Sequence, residues 1–162
     1  MLDKKLQSIY YKNMFRNGKG NTMEIKTYQH KVQYYETDQM QIVHHSNYIR
    51  WFEEARMDFL EQAGFGYDRF EREGIISPVL EVQAKYHSMT RFGETVNIEV
   101  KMVNFTGLKF SIEYIISDSI TGEVRVTGRS EHCLLDKENK PIRLKKVNPE
   151  LYEVLDSLVE KK

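Results

Sequence analysis

The sequence predicts an α+β domain in which a five-stranded antiparallel sheet curls around one long helix, with a further helix at the C-terminus. Three observations predict it. Five segments alternate apolar and polar residues with the period of a half-buried strand, one long segment carries an apolar stripe at helical spacing, and only one strand precedes that helix. At 162 residues the chain fits one domain, which can bury roughly 70% of its unfolded surface and needs no covalent staple.

Residues 1–22 are polar and basic, with Lys4, Lys5, Lys12, Arg16 and Lys19, and lack the apolar stretch and small-residue cleavage site of a signal peptide. They read as a flexible tail before a domain at 23–162, and both Met14 and Met23 are possible alternative starts. Strand one follows, where Tyr28, His30, Val32 and Tyr34 alternate with Gln29, Lys31 and Gln33. From Ser46 the period changes. Tyr48, Ile49, Phe52, Ala55, Phe59, Leu60 and Ala63 form one stripe, with Arg50, Glu53, Glu54, Asp58 and Glu61 on the remaining surface. Ser46 or Asn47 can cap this helix, and Gly64 can end it in the left-handed conformation.

Four strands are expected next, as an antiparallel meander. Leu80, Val82, Ala84 and Tyr86 make a half-buried face, as do Val96, Ile98, Val100 and Met102. After a turn at Asn104 to Gly107 come Leu108, Phe110, Ile112, Tyr114 and Ile116; after the Asp118 to Gly122 turn, Val124 to Leu135 is the last long strand. Asn148 as cap and Pro149 at the first helical position announce the final helix, with Leu151, Val154, Leu155, Leu158 and Val159 at helical spacing for packing on the surface or on a partner subunit. Several α+β folds share this element order.

The 24 basic and 24 acidic residues balance, so no field suited to nonspecific nucleic-acid binding is expected. Cys133 alone cannot form an intrachain disulfide, and no apolar run approaches the roughly 20 residues that span a bilayer. A reducing, cytoplasmic setting without membrane partners is expected. The five histidines show no zinc-ligand spacing, Cys133 falls in the middle of a predicted strand and reads as a small hydrophobe, and neither a Gly-x-Ser-x-Gly elbow nor a phosphate loop is present.

The chemistry-bearing segment runs Tyr34-Tyr-Glu-Thr-Asp38-Gln-Met-Gln-Ile-Val-His44-His45-Ser-Asn47-Tyr48, between strand one and the long helix. A helix start offers free N–H groups and partial positive charge, which suits the oxyanion formed when a thioester carbonyl is attacked. Asp38 can supply the attack as a nucleophile or as a general base on water. The plainer reading is that Asp38 caps a turn, and that His44 and His45 are loop histidines whose adjacent side chains point apart.

This segment resembles the motif Tyr-x-(Asp)-Thr-Asp-x-x-Gly-Val-Val-x-His-x-Asn-Tyr of acyl-CoA thioesterases of the 4-hydroxybenzoyl-CoA thioesterase type, which have the hotdog fold. The chain supplies Tyr35, Thr37, Asp38, Ile42, Val43, His45, Asn47 and Tyr48, and the likeness continues through Trp51 to Arg56, Gly74 to Val79, Tyr86 and Thr90 to Glu94. The resemblance covers roughly Met23 to Lys146. It implies hydrolysis of acyl-CoA without metal or bound cofactor, with Asp38 as the reacting carboxylate and the His45 backbone N–H polarising the carbonyl. It gives the His45 side chain a supporting part, and it makes Asn47, Tyr48 and Glu53 candidates for lining the pocket. It further implies a homodimer or homotetramer with sites at subunit junctions, where Arg91 and Lys109 are candidates for the nucleotide phosphates. Acyl groups on a carrier protein, or acyl-CoA binding without turnover, are the alternatives; a hydratase on the same fold lacks its aspartate and histidine pair here. One departure stands out: Gln41 replaces the motif's glycine, and if φ is positive there it costs on the order of 1 kcal/mol.

Overall fold

The computed structural model describes residues 14–16 and 22–159. Strands β1 (Met14–Arg16) and β2 (Thr22–Glu24) pair antiparallel as a small ribbon, while the remaining residues of the expected tail lie outside the described ones. Five further strands form the sheet: β3 (Tyr28–Lys31), β4 (Val79–Tyr86), β5 (Thr95–Phe105), β6 (Lys109–Asp118) and β7 (Val124–Cys133). All pairs are antiparallel and the order is β3-β5-β6-β7-β4. Helix α1 (Ser46–Gln62) covers one face, followed by the short α2 (Tyr67–Arg72), which the sequence reading did not anticipate. The chain ends in α3 (Leu144–Val147) and α4 (Pro149–Leu158).

Alternation along β5, β6 and β7 sends Ile98, Met102, Ile112, Tyr114, Ile116 and Val126 to the helix side, all essentially inaccessible to solvent. Against them α1 buries Tyr48, Trp51, Phe52, Ala55 and Phe59. Phe52 stacks on Tyr114 at 4.4 Å and presses so closely on β7 that a Cβ on Gly128 would overlap its ring, which is the packing reason for glycine inside a strand. Gly64 (φ 86°) ends α1 as expected: its N–H donates to the Glu61 carbonyl at 2.9 Å and the Phe65 N–H to the Leu60 carbonyl at 2.8 Å. Asn148 caps α4 by accepting the Leu151 N–H at 2.9 Å, and Leu151, Leu155 and Leu158 are buried on this chain's own core.

Several expectations are corrected. The meander holds only for β5, β6 and β7, because β4 pairs with β7 and its link to β5, residues 87–94, crosses the ends of two strands. Those eight residues can span about 25 Å, ample for three strand spacings of about 4.8 Å and too long for the tight hairpin an adjacent β4 and β5 would need. The expected β4 face is buried only in part: Ala84 packs against the core, whereas Leu80, Val82 and Tyr86, with neighbouring Val79, are 37–49% exposed along an unpaired edge. Strand one stops at Lys31, and Tyr34 is 78% exposed in a single 3-10 turn (Tyr34–Glu36). Ile49 is exposed while Trp51 takes its place in the stripe, drawn inward by its indole N–H donating to buried Glu36. Neither Ser46 nor Asn47 caps α1; the N-cap residue is His45, without a side-chain cap bond. Cys133 is the last residue of β7, where it is buried.

Candidate active site

Asp38 opens a tight turn closed by Thr37 and Val43, which face each other in an antiparallel bridge. The Asp38 N–H donates to the Ile42 carbonyl at 3.0 Å, the Gln41 N–H to the Asp38 carbonyl at 2.9 Å, and the Met40 N–H to Asp38 Oδ1 at 2.8 Å. Gln41 has φ 61°, so the turn that Asp38 opens closes through a left-handed residue, the position for which glycine is suited. The motif's glycine therefore has a backbone reason, and glutamine occupies the same strained conformation. Asp136 builds the same turn elsewhere: its N–H donates to the Lys140 carbonyl, Asn139 (φ 61°) donates to its carbonyl, and the Glu138 N–H donates to its Oδ1. Capping thus accounts for one Asp38 oxygen and does not distinguish it from Asp136.

Location distinguishes it. Glu36, two residues before Asp38, is 4% exposed, and its carbonyl accepts the His44 N–H at 2.9 Å and Asn47 Nδ2–H at 2.8 Å. Those bonds lay the Asp38 turn against the start of α1. Among the described residues the His45 N–H donates to no acceptor, so this first free amide of the helix is available. A half-buried carboxylate and a free N–H at a positive helix end are the two groups that attack on a carbonyl requires.

The other predicted residues distribute as follows. The His45 side chain is exposed, and its ring centroid lies 4.1 Å from that of His44 with the planes tilted by 34°, so the neighbouring rings do not diverge; His45 already has helical φ and ψ. Its carbonyl accepts the Tyr86 O–H at 3.1 Å. Tyr48 is 3% exposed between Trp51 (4.8 Å) and Tyr86 (5.5 Å), and Asn47 is buried with its amide on Glu36. Glu53 is exposed about two turns along α1, roughly 12 Å from the helix start, in an open groove with Arg50, Glu54 and Met57. The Arg91 side chain is exposed in the link before β5, whereas Lys109 begins β6 at the far end of the sheet, roughly 30 Å along that strand. Within one chain these two cations do not come together.

Sequence reading missed Glu36 and Tyr86 as members of the site. Glu36 sits in the chemistry-bearing segment, and its signal is only that a carboxylate two residues from Asp38 precedes a helix carrying Trp51. Burial alone would push the Glu36 carboxyl up, but the Gln33 N–H and then the His30 and Trp51 donors outweigh it and hold it below the usual carboxylate range.

A family model described as the thioesterase-like superfamily matches residues 32–155. YneP of Bacillus subtilis, whose name assigns it provisionally as an acyl-CoA thioesterase, is 34% identical over 129 residues, 79% of this chain and 93% of YneP. A crystal structure of DHNA-CoA thioesterase from Staphylococcus aureus superposes with a TM-score of 0.77 at 32% identity, covering 81% of this chain and 88% of that one. A hypothetical protein from Thermus thermophilus gives 0.74 at 32% identity, over 82% and 98%. The hotdog fold expected from the motif is that of these neighbours.

Proposed function

The chain belongs to the thioesterase-like superfamily, and from that premise we propose that it hydrolyses an acyl-CoA thioester to the free acid and coenzyme A. The observation that carries the reading is the seating of the Asp38 turn against a helix start whose His45 N–H is free. In the proposed step the thioester oxygen accepts the His45 N–H, so the negative charge that develops on attack meets a fixed dipole. Asp38 Oδ2, which the turn does not use, either attacks the carbonyl carbon and expels the coenzyme A thiolate, leaving an acyl-aspartyl anhydride that water then hydrolyses to the free acid, or takes the proton of an attacking water whose tetrahedral adduct expels the thiolate; in both routes a proton released from water ends on the coenzyme A sulfur. His45 and Tyr86 would border the entrance, with Tyr48 and Asn47 fixing the frame behind it.

The proposed working unit is a dimer joined along β4. An eight-residue edge strand with four exposed apolar side chains is a surface that natural sheets rarely leave uncovered, and a second copy covers it most simply. Such a pair would bring a partner's cations toward the site, which answers the separation of Arg91 from Lys109 within one chain.

Release of free thiol from alkyl, 4-hydroxybenzoyl and dihydroxynaphthoyl esters of coenzyme A, and from an acylated carrier protein, tests the reading and names the acyl class. Asp38→Asn is the informative variant because asparagine also caps this kind of turn. It should lose at least about 10²-fold in kcat with unchanged oligomeric state. Wild-type turnover in a folded Asp38→Asn protein would defeat the mechanism.

A further inference from the structure

Glu36 joins three segments at once. Its carboxylate accepts the Gln33 N–H (2.7 Å) within its own turn, the Trp51 indole N–H (2.8 Å) from the second turn of α1, and His30 Nε2 (2.9 Å) from β3. Its carbonyl accepts the His44 N–H and the Asn47 amide at the α1 start. Few groups in the molecule combine such burial with so many donors, and through them Glu36 ties both the Asp38 turn and the helix start to the sheet edge.

We propose that Glu36 is the positioning residue of the site: it holds the Asp38 carboxylate and the His45 N–H in mutual register, and turnover depends on it although it does not touch the substrate. This rests on the reading of Asp38 given above. The chemistry requires a carboxylate at this position. Oε1 faces the Trp51 N–H and Oε2 faces the Gln33 N–H, so each oxygen must accept. A glutamine would place its NH2 group against one of these donors, and an aspartate, one methylene shorter, cannot reach all three. Loss of either bond loosens the turn relative to the helix end, and a displacement of about 1 Å between reacting groups is enough to cost on the order of 10²-fold in rate.

A residue that served the fold alone would lower stability and leave the chemistry of folded molecules intact. The experiment therefore compares kcat and KM for one acyl-CoA in wild type, Glu36→Gln, Trp51→Phe, Asp38→Asn and Leu155→Ala, at a temperature where each is folded by circular dichroism. Leu155 is fully buried in α4, away from the motif, and supplies a destabilised control. Glu36→Gln should lose about 10- to 10²-fold in kcat with KM changed by less than about twofold, and Trp51→Phe, which removes one donor, should show the same split at smaller size. Leu155→Ala should keep wild-type kcat despite a lower Tm. Should Glu36→Gln fail to fold, Trp51→Phe alone decides. Wild-type kcat in the folded position-36 or position-51 variants, with Asp38→Asn inactive, overturns the positioning role only. Full turnover in Asp38→Asn overturns the catalytic reading beneath it.

Discussion

Gln41 is the residue at which local conformation and motif chemistry meet. A side chain at φ 61° carries a penalty that glycine does not, on the order of 1 kcal/mol. Gln41→Gly should therefore raise Tm by about 2–4 °C in a chain of this length, as read by thermal unfolding, while a lowered Tm would mean that the glutamine side chain stabilises the turn by a contact of its own. The consequence of the glycine position was legible in the sequence, and so was Asp38 as a turn residue. What one chain could not express is why Asp38 differs from Asp136, since both make the same Asx turn; the difference lies in which tertiary partner the turn rests on. The Glu36 pocket was hidden for the same reason: its donors come from residues 30, 33 and 51, and no local spacing announces their convergence.

Among the elements, β5, β6, β7, α1 and α4 were readable because burial on one face writes a period into each. The period of β4 is equally clear, yet most of its apolar face is exposed in the single chain, because alternation records a face that becomes buried without saying by what. The pairing of β4 with β7 was illegible for another reason: antiparallel neighbours in sequence usually neighbour in space, and only the eight-residue link hints otherwise. Leu80 and Val82, 49% and 37% exposed, test the proposed dimer directly. A Leu80→Lys, Val82→Lys double variant should keep its circular dichroism spectrum and Tm within a few degrees as a monomer, elute at the mass of one chain, and lose most turnover. A variant that remains dimeric in light scattering would place the subunit contact elsewhere.

At the scale of the whole molecule, the helix side of the sheet carries a polar chain, separate from the Glu36 network, within the apolar core. The Tyr114 hydroxyl and Ser130 Oγ are 2.7 Å apart, Ser130 Oγ lies 2.7 Å from His132 Nε2, and His132 Nδ1 is buried without a partner. His132 stacks on Phe110 at 4.7 Å, and burial, assisted by the charge of Arg56, lowers its pKa from 6.5 to about 4. The unfolded chain thus takes up a proton near pH 6.5 that the folded chain refuses until about pH 4. Stability is consequently full above pH 6.5 and declines as pH falls through that window. The depressed carboxyls act lower on the scale: Asp118, held near 2 by the Thr121 N–H with further help from the Ile120 N–H and Arg125, and Glu36, also below its usual value, give stability that is lost only as pH drops beneath the ordinary carboxylate range. The interval from pH 6.5 to 5 therefore reports on His132. Urea unfolding at pH 7 and pH 5 should show wild type losing stability over that interval and His132→Phe, which keeps a ring on Phe110 and removes the titrating group, losing much less. An equal loss in both proteins would assign the acid sensitivity to another group and would leave the buried His132 without energetic consequence for the fold.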